Sequence, residues 1–227
     1  MRKYILLVTV TLTSIAVQAQ VTSFNIDSNK FIKPLTKTLD SIYIEDQKPR
    51  EAFAQALKRK DPQPVVDSLR KIMLTKDHEN LEKVNAIIDK YGWLGPEQVG
   101  LNASQALFLV LQHADLATQK KYLPMIRSAE KRGQILSSNL AIMEDRVQMR
   151  EGKKQPYGSQ AIRDPQSAQL YFYPIEDPDH VDERRKSMGL IPMDQYAKAM
   201  EMTWDLEDYK RKLPEFEEKA KKIFKKP

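Results

Sequence analysis

The residues of this chain best suited to chemistry fall between Tyr91 and Tyr196. Gln112-His113-Ala114-Asp115 closes the most apolar stretch of the sequence, so its polar groups sit at the edge of a core, where desolvation demands partners. His113 is the candidate general base, because an imidazole titrates near neutral pH without a large shift, and Asp115 is the candidate orienting carboxylate. The same residues equally suit a histidine bonded to a helix-end carbonyl and an aspartate that caps the next helix.

Three further groups are candidates for ligand binding. Asp145 has Ala141 and Met149 at i−4 and i+4, a carboxylate among apolar neighbours that calls for a basic partner, and Arg146 follows it. A structural ion pair and a ligand site fit that pattern equally. In Gln155-Pro156-Tyr157-Gly158-Ser159-Gln160 the glycine permits close backbone approach, so Tyr157 and Gln160 either read a polar ligand or dock a turn onto the helices. Asp182 and Arg185 are i, i+3 neighbours, an ordinary intrahelical pair, which leaves Arg184 beside them to grip a carboxylate or phosphate.

The elements that must position these groups are mostly helical. Apolar spacing gives a helix from Phe31 through Tyr43 fading near Pro49, a short one over 51–60, and another carrying Val65 to Met73. Asp77 is placed to cap a helix bearing Leu81, Val84 and Ile88. Residues 96–112 leave almost no polar face and read as the central core helix. Asp115 opens a helix with a kink at Pro124, and Leu136 to Val147 form the next. Segments 157–163 and 169–173 read as a β-hairpin joined across Asp164-Pro165-Gln166-Ser167. Asp177-Pro178 starts a helix that Gly189 closes, residues 192–202 form a last packed helix, and a solvated terminal helix follows Trp204. The expected fold is therefore mainly α, a helical bundle-like domain with one small hairpin late in the chain. Its organisation is a signal segment (1–19), an N-terminal helical segment (20–90), a motif-bearing helical domain (91–203) and a charged tail (204–227).

Residues 1–19 carry Arg2-Lys3, an apolar run from Tyr4 to Val17 and Val17-Gln18-Ala19, the pattern of a signal peptide cleaved before Gln20. The protein is expected to be exported, periplasmic or extracellular, without a stable membrane span once the run is removed. The chain has 227 residues, 37 Lys+Arg against 31 Asp+Glu, and no cysteine, which excludes disulfide scaffolds, Cys-ligated metals and thiol enzymes. Much of its +6 charge sits at the two ends, so no broad basic face for nucleic acid is expected. His78, His113 and His180 are too far apart for a metal-binding spacing, and no phosphate loop or dinucleotide fingerprint is present, so neither metal nor cofactor is expected.

Tyr91-Gly92-Trp93, Gln112-His113-Ala114-Asp115, Asp145-Arg146, Gln155-x-Tyr157-Gly158-x-Gln160, Asp182-x-Arg184-Arg185 and Gly189-Leu190 follow one another in fixed order. The set resembles a bacterial domain family of unknown function across residues 91–196. That resemblance implies a shared polar constellation and no particular reaction. Two readings of the residues stand: a domain binding a small polar or peptidic ligand, with a His-based hydrolase as its catalytic extension, or a structural or protein-interaction module whose polar motifs cap helices and pair charges.

Overall fold

The computed structural model describes residues 20–164 and 169–224. The expected signal segment and the tip of the hairpin, residues 165–168, lie outside them. Among the described residues the chain is helical apart from one two-stranded antiparallel sheet, as the sequence implied. No described helix is long and apolar enough to cross a membrane.

Two long helices open the fold, α1 (Lys33–Arg59) and α2 (Gln63–Tyr91). Each was expected as two pieces. Pro49 lies inside α1 without ending it: a proline removes one helical hydrogen bond, and here the packing of α1 along α2 and α4 carries the helix through. Asp77 likewise caps nothing and sits within α2. The expected central helix is instead broken into α3 (Pro96–Val99) and α4 (Leu101–His113). Gly100 makes the break at φ 87°, and a Cβ there would meet the Phe31 ring at 3.0 Å.

Helices α5 (Leu116–Lys131) and α6 (Ser137–Arg150) complete the first layer. Pro124 does not interrupt α5. The segment before α1 is tied at Val21, whose N–H donates to Ser137 Oγ (2.7 Å) and whose carbonyl accepts from Ser137 N (3.0 Å). The core of this layer joins Leu39 and Ile42 of α1, Val84, Ile87 and Ile88 of α2, Leu107 and Leu111 of α4, Ile126 of α5 and Met143 of α6. It draws on residues from both sides of position 90.

A second, aromatic core follows. Strands β1 (Ala161–Arg163) and β2 (Leu170–Phe172) are shorter than expected and pair Ala161 with Phe172. Around them pack α7 (Val181–Ser187), α8 (Met193–Ala199) and α9 (Leu206–Phe224). The last was expected to be solvated. Instead Tyr209 and Ala220 are buried and Phe216 stacks on Tyr171 with ring centroids 4.7 Å apart, because α9 has an apolar stripe that covers β2.

Candidate functional site

Residues 155–160 pass between the two cores as a strap, densely hydrogen-bonded on both sides. Asp145 of α6, fully buried, accepts from the backbone amides of Tyr157 (2.8 Å) and Ser159 (2.7 Å). Arg185 of α7 donates to the carbonyls of Tyr157 and Ile191, both at 2.6 Å, and Arg184 donates to Pro156 O at 2.8 Å and to the carbonyls of Glu176 and Asp177. Tyr196 donates to Ser159 O, and Gln155 bonds both ends of the Gln160 backbone. Gly158 holds φ 69° where a Cβ would lie 2.9 Å from Ile175 Cδ1 and Met193 Sδ, so glycine alone fits.

Several sequence expectations change here. Asp145 has backbone amides as its partners, in place of an arginine or histidine. Burial pushes it up to about 6 even though those two amides, Ser159 and the Arg185 charge favour its ionised form. Asp182 does not form an ion pair with Arg185; it accepts from Met193 N and so starts α8. Arg184 is not a free clamp, because its donors are spent on carbonyls and on Asp177. The Tyr157 hydroxyl reaches Glu144 at 3.4 Å. Asp115 is exposed and caps α5 through Thr118 N at 2.7 Å, so it does not orient His113.

His113 turns instead to a residue the sequence reading passed over. Its Nδ1 lies 3.1 Å from Oδ1 of Asp46 on α1. Asp46 is 1% exposed and continues the stripe of Leu39 and Ile42, a carboxylate at a core position. Burial pushes its carboxyl up, but the bond and charge of His113, the Arg50 charge and the Gln47 amide outweigh that and hold it below the usual carboxylate range. Arg50 bridges onward, from Asp46 Oδ2 at 3.4 Å to the Asp77 carboxylate on α2. His113, Arg50 and Asp77 keep 16%, 21% and 18% of their side chains exposed, so they carry this polar cluster from the buried Asp46 toward the surface. Asp46, Asp77 and His113 are also the candidate metal-ligand group of the described residues, with donor atoms all within 4.8 Å of one another. Three helices bring them together, which no spacing along the chain displays.

Arg146 lies beside this cluster. It donates to Gln160 Oε1 (3.0 Å) and to Gln112 O (3.2 Å), the residue before His113. Arg150, one turn on, donates to Ala114 O. Burial pushes Arg146 down to about 10, and the charges of Arg150 and Arg50 push the same way. Among the described residues no carboxylate lies within ion-pair distance of Arg146. The buried side-chain amides of Gln112 and Asn80 have no protein partner at either atom.

The structure thus joins His113, Arg146 and Gln160 through a short chain of contacts. It assigns Asp145, Asp182, Arg184 and Arg185 to the strap and its surroundings, with Tyr157 beside Asp145. Asp46, Arg50 and Asp77 were missed, although Asp46 and Asn80 each interrupt an apolar stripe at a core position, a signal that helical phase carries. No match was found among curated proteins or solved structures. The matched region of a family model reaches well upstream of residue 91, taking in α1 and α2. The chain belongs to that family, a family of unknown function (DUF6624), over residues 35–209.

Proposed function

We propose that this protein binds an anionic polar ligand, a small acid or the carboxylate end of a peptide, in a recess between Arg146, Arg150 and Arg50, with His113 on its rim. The observation that carries this is the surplus of buried positive charge at Arg146. Its protein bonds go to neutral oxygens, and its nearest charged neighbours named above are cations. The C-terminal end of α4 supplies partial compensation through the carbonyls of Gln112 and Ala114. A helix terminus offers only about half a negative charge, against two guanidiniums on α6. Exposed Asp115 contributes to Arg150. A ligand carboxylate or phosphate completes the balance, and guanidinium is the donor suited to hold it bidentately.

Calorimetric titration with inorganic phosphate and with an N-acetylated dipeptide tests this. Saturable binding of one equivalent of either, weakened at least tenfold in Arg146→Gln, supports the reading. No binding of either anion, or equal binding by the variant, overturns it.

A second reading, acid–base chemistry at His113, is favoured by one contact. With Nδ1–H donated to Asp46, Nε2 is left as the basic nitrogen, the arrangement a general base requires. The reading of residues 1–19 as a cleaved export signal belongs with the proposal, supported by their charge and apolar pattern. Sequencing the N-terminus of the mature protein tests it: a chain beginning at Gln20 supports export, and one beginning at Met1 removes it.

A further inference from the structure

The recess has an acidic half as well as a cationic one, and we infer that Asp46, Asp77 and His113 form a divalent-metal site of mixed oxygen and nitrogen donors beside the arginines. This deepens the anion reading, since it would put a Lewis acid next to the ligand's charged group.

The geometry suits an ion. Metal–ligand bonds of about 2.1 Å put neighbouring donors of a tetrahedral or octahedral site roughly 3 to 4 Å apart. Here Asp46 Oδ1 and His113 Nδ1 are 3.1 Å apart, inside that range, and all three donor atoms fall within 4.8 Å, so the partly exposed Asp77 would have to draw in by up to about 1 Å to close on an ion. The donors come from α1, α2 and α4, which pack on one another in the first core, so the frame is rigid. Gln47 Nε2 donates to the second oxygen of Asp46 at 2.6 Å, the kind of outer contact that orients a ligating carboxylate.

A second observation is independent of that cluster. Asn80 stands one turn along α2 from Asp77 on the same face, the face that Val84 and Ile87 bury against α1 and α4. It is 0% exposed, and neither its Oδ1 nor its Nδ2 has a protein partner. A buried amide left unbonded on both atoms costs free energy that a bound ion or its water would recover. The borderline donor set selects ions such as Zn²⁺, Mn²⁺ or Co²⁺ over Ca²⁺, which takes more oxygen ligands.

Arg50 is the internal competitor. Its guanidinium spans the Asp46 and Asp77 carboxylates, where it supplies the positive charge that an ion would bring. Ion uptake therefore requires Arg50 to leave that bridge. Coordination through Nδ1 also demands the Nε2–H tautomer of His113, the opposite of the one a general base needs, so the two roles of His113 exclude each other.

The test is calorimetric titration of the untagged, chelator-stripped protein with Zn²⁺, Mn²⁺ and Co²⁺ chlorides in a buffer free of phosphate and carboxylates. We expect one ion per chain for at least one of these metals. Asp77→Asn and His113→Gln, both partly exposed positions that leave the core intact, should weaken it at least tenfold. Arg50→Gln should tighten it by removing the competitor. Absence of one-equivalent binding, or binding that Asp77→Asn and His113→Gln both leave unaltered, overturns the site. Phosphate binding that survives such a failure would show that only the metal proposal has fallen.

Discussion

Asp145 and Arg146 are neighbours in sequence, on one helix, and the structure uses them in opposite ways. Asp145 points its charge into the strap and meets two backbone amides, with Arg185 near enough to add its charge. Arg146 spans from the strap's Gln160 side chain to the end of α4 and meets neutral oxygens in both, with the nearby charges of Arg150 and Arg50 repelling its own. The strap holds the two cores in register, and its carbonyls at Pro156, Tyr157 and Ser159 are each taken by a side chain of α7 or α8. Around His113 and Arg146, by contrast, the buried amides of Gln112 and Asn80 have no protein partner, and Arg146 has no carboxylate within ion-pair distance among the described residues. Saturated polar networks stabilise and specify a fold, and unsaturated ones mark where something else is to bind.

Breaking the strap should give the largest effect. Asp145→Ala orphans two buried amide donors and should lower stability by about 3 to 5 kcal/mol in urea unfolding, without removing any proposed ligand contact. The pH dependence of the same residue comes next. Burial, its largest influence, raises Asp145 from 3.8 to about 6. The folded chain therefore takes up a proton that the unfolded chain does not between about pH 6 and 4, so this group's contribution to stability grows as pH falls and shrinks as it rises. Relative to Asp145→Asn, the natural protein should gain up to ~3 kcal/mol between pH 7 and 4. An advantage that instead grows above pH 6 would mean the two amide bonds outweigh burial.

The recess should respond with the opposite balance. Arg146→Gln removes a poorly compensated buried charge together with two neutral hydrogen bonds, so its stability should stay within about 1 kcal/mol of the natural protein while phosphate binding is lost. A large fall in melting temperature would put Arg146 with the strap and erase the contrast. The smallest effect is expected at Asp115. Its replacement by alanine removes the α5 cap and should cost about 1 kcal/mol without weakening anion binding, since it takes away a carboxylate that compensates Arg150.

How much of this was legible beforehand depended on whether a feature is local. The helical class, the late hairpin and the Asp115 cap follow from residue periodicity and capping chemistry, which act over a few positions. Helix boundaries at Pro49 and Asp77 were misread because tertiary packing overrode local propensity. The site was half legible. Polar groups at His113, Arg146 and Gln160 stood out against apolar surroundings, but the carboxylate facing His113 lies 67 residues upstream, so the nearer Asp115 was the natural choice from sequence.

The sequence by itself determined that this is a helical, cysteine-free protein with polar side chains set into core positions, because composition and period fix which faces must be buried. Only the tertiary structure decided which of those side chains meet. Partnership is a matter of distance across helices: α1, α2 and α4 bring the donor atoms of Asp46, Asp77 and His113 within 4.8 Å of one another, while Asp145 and Arg146, adjacent on the chain, diverge because consecutive helical residues point about 100° apart.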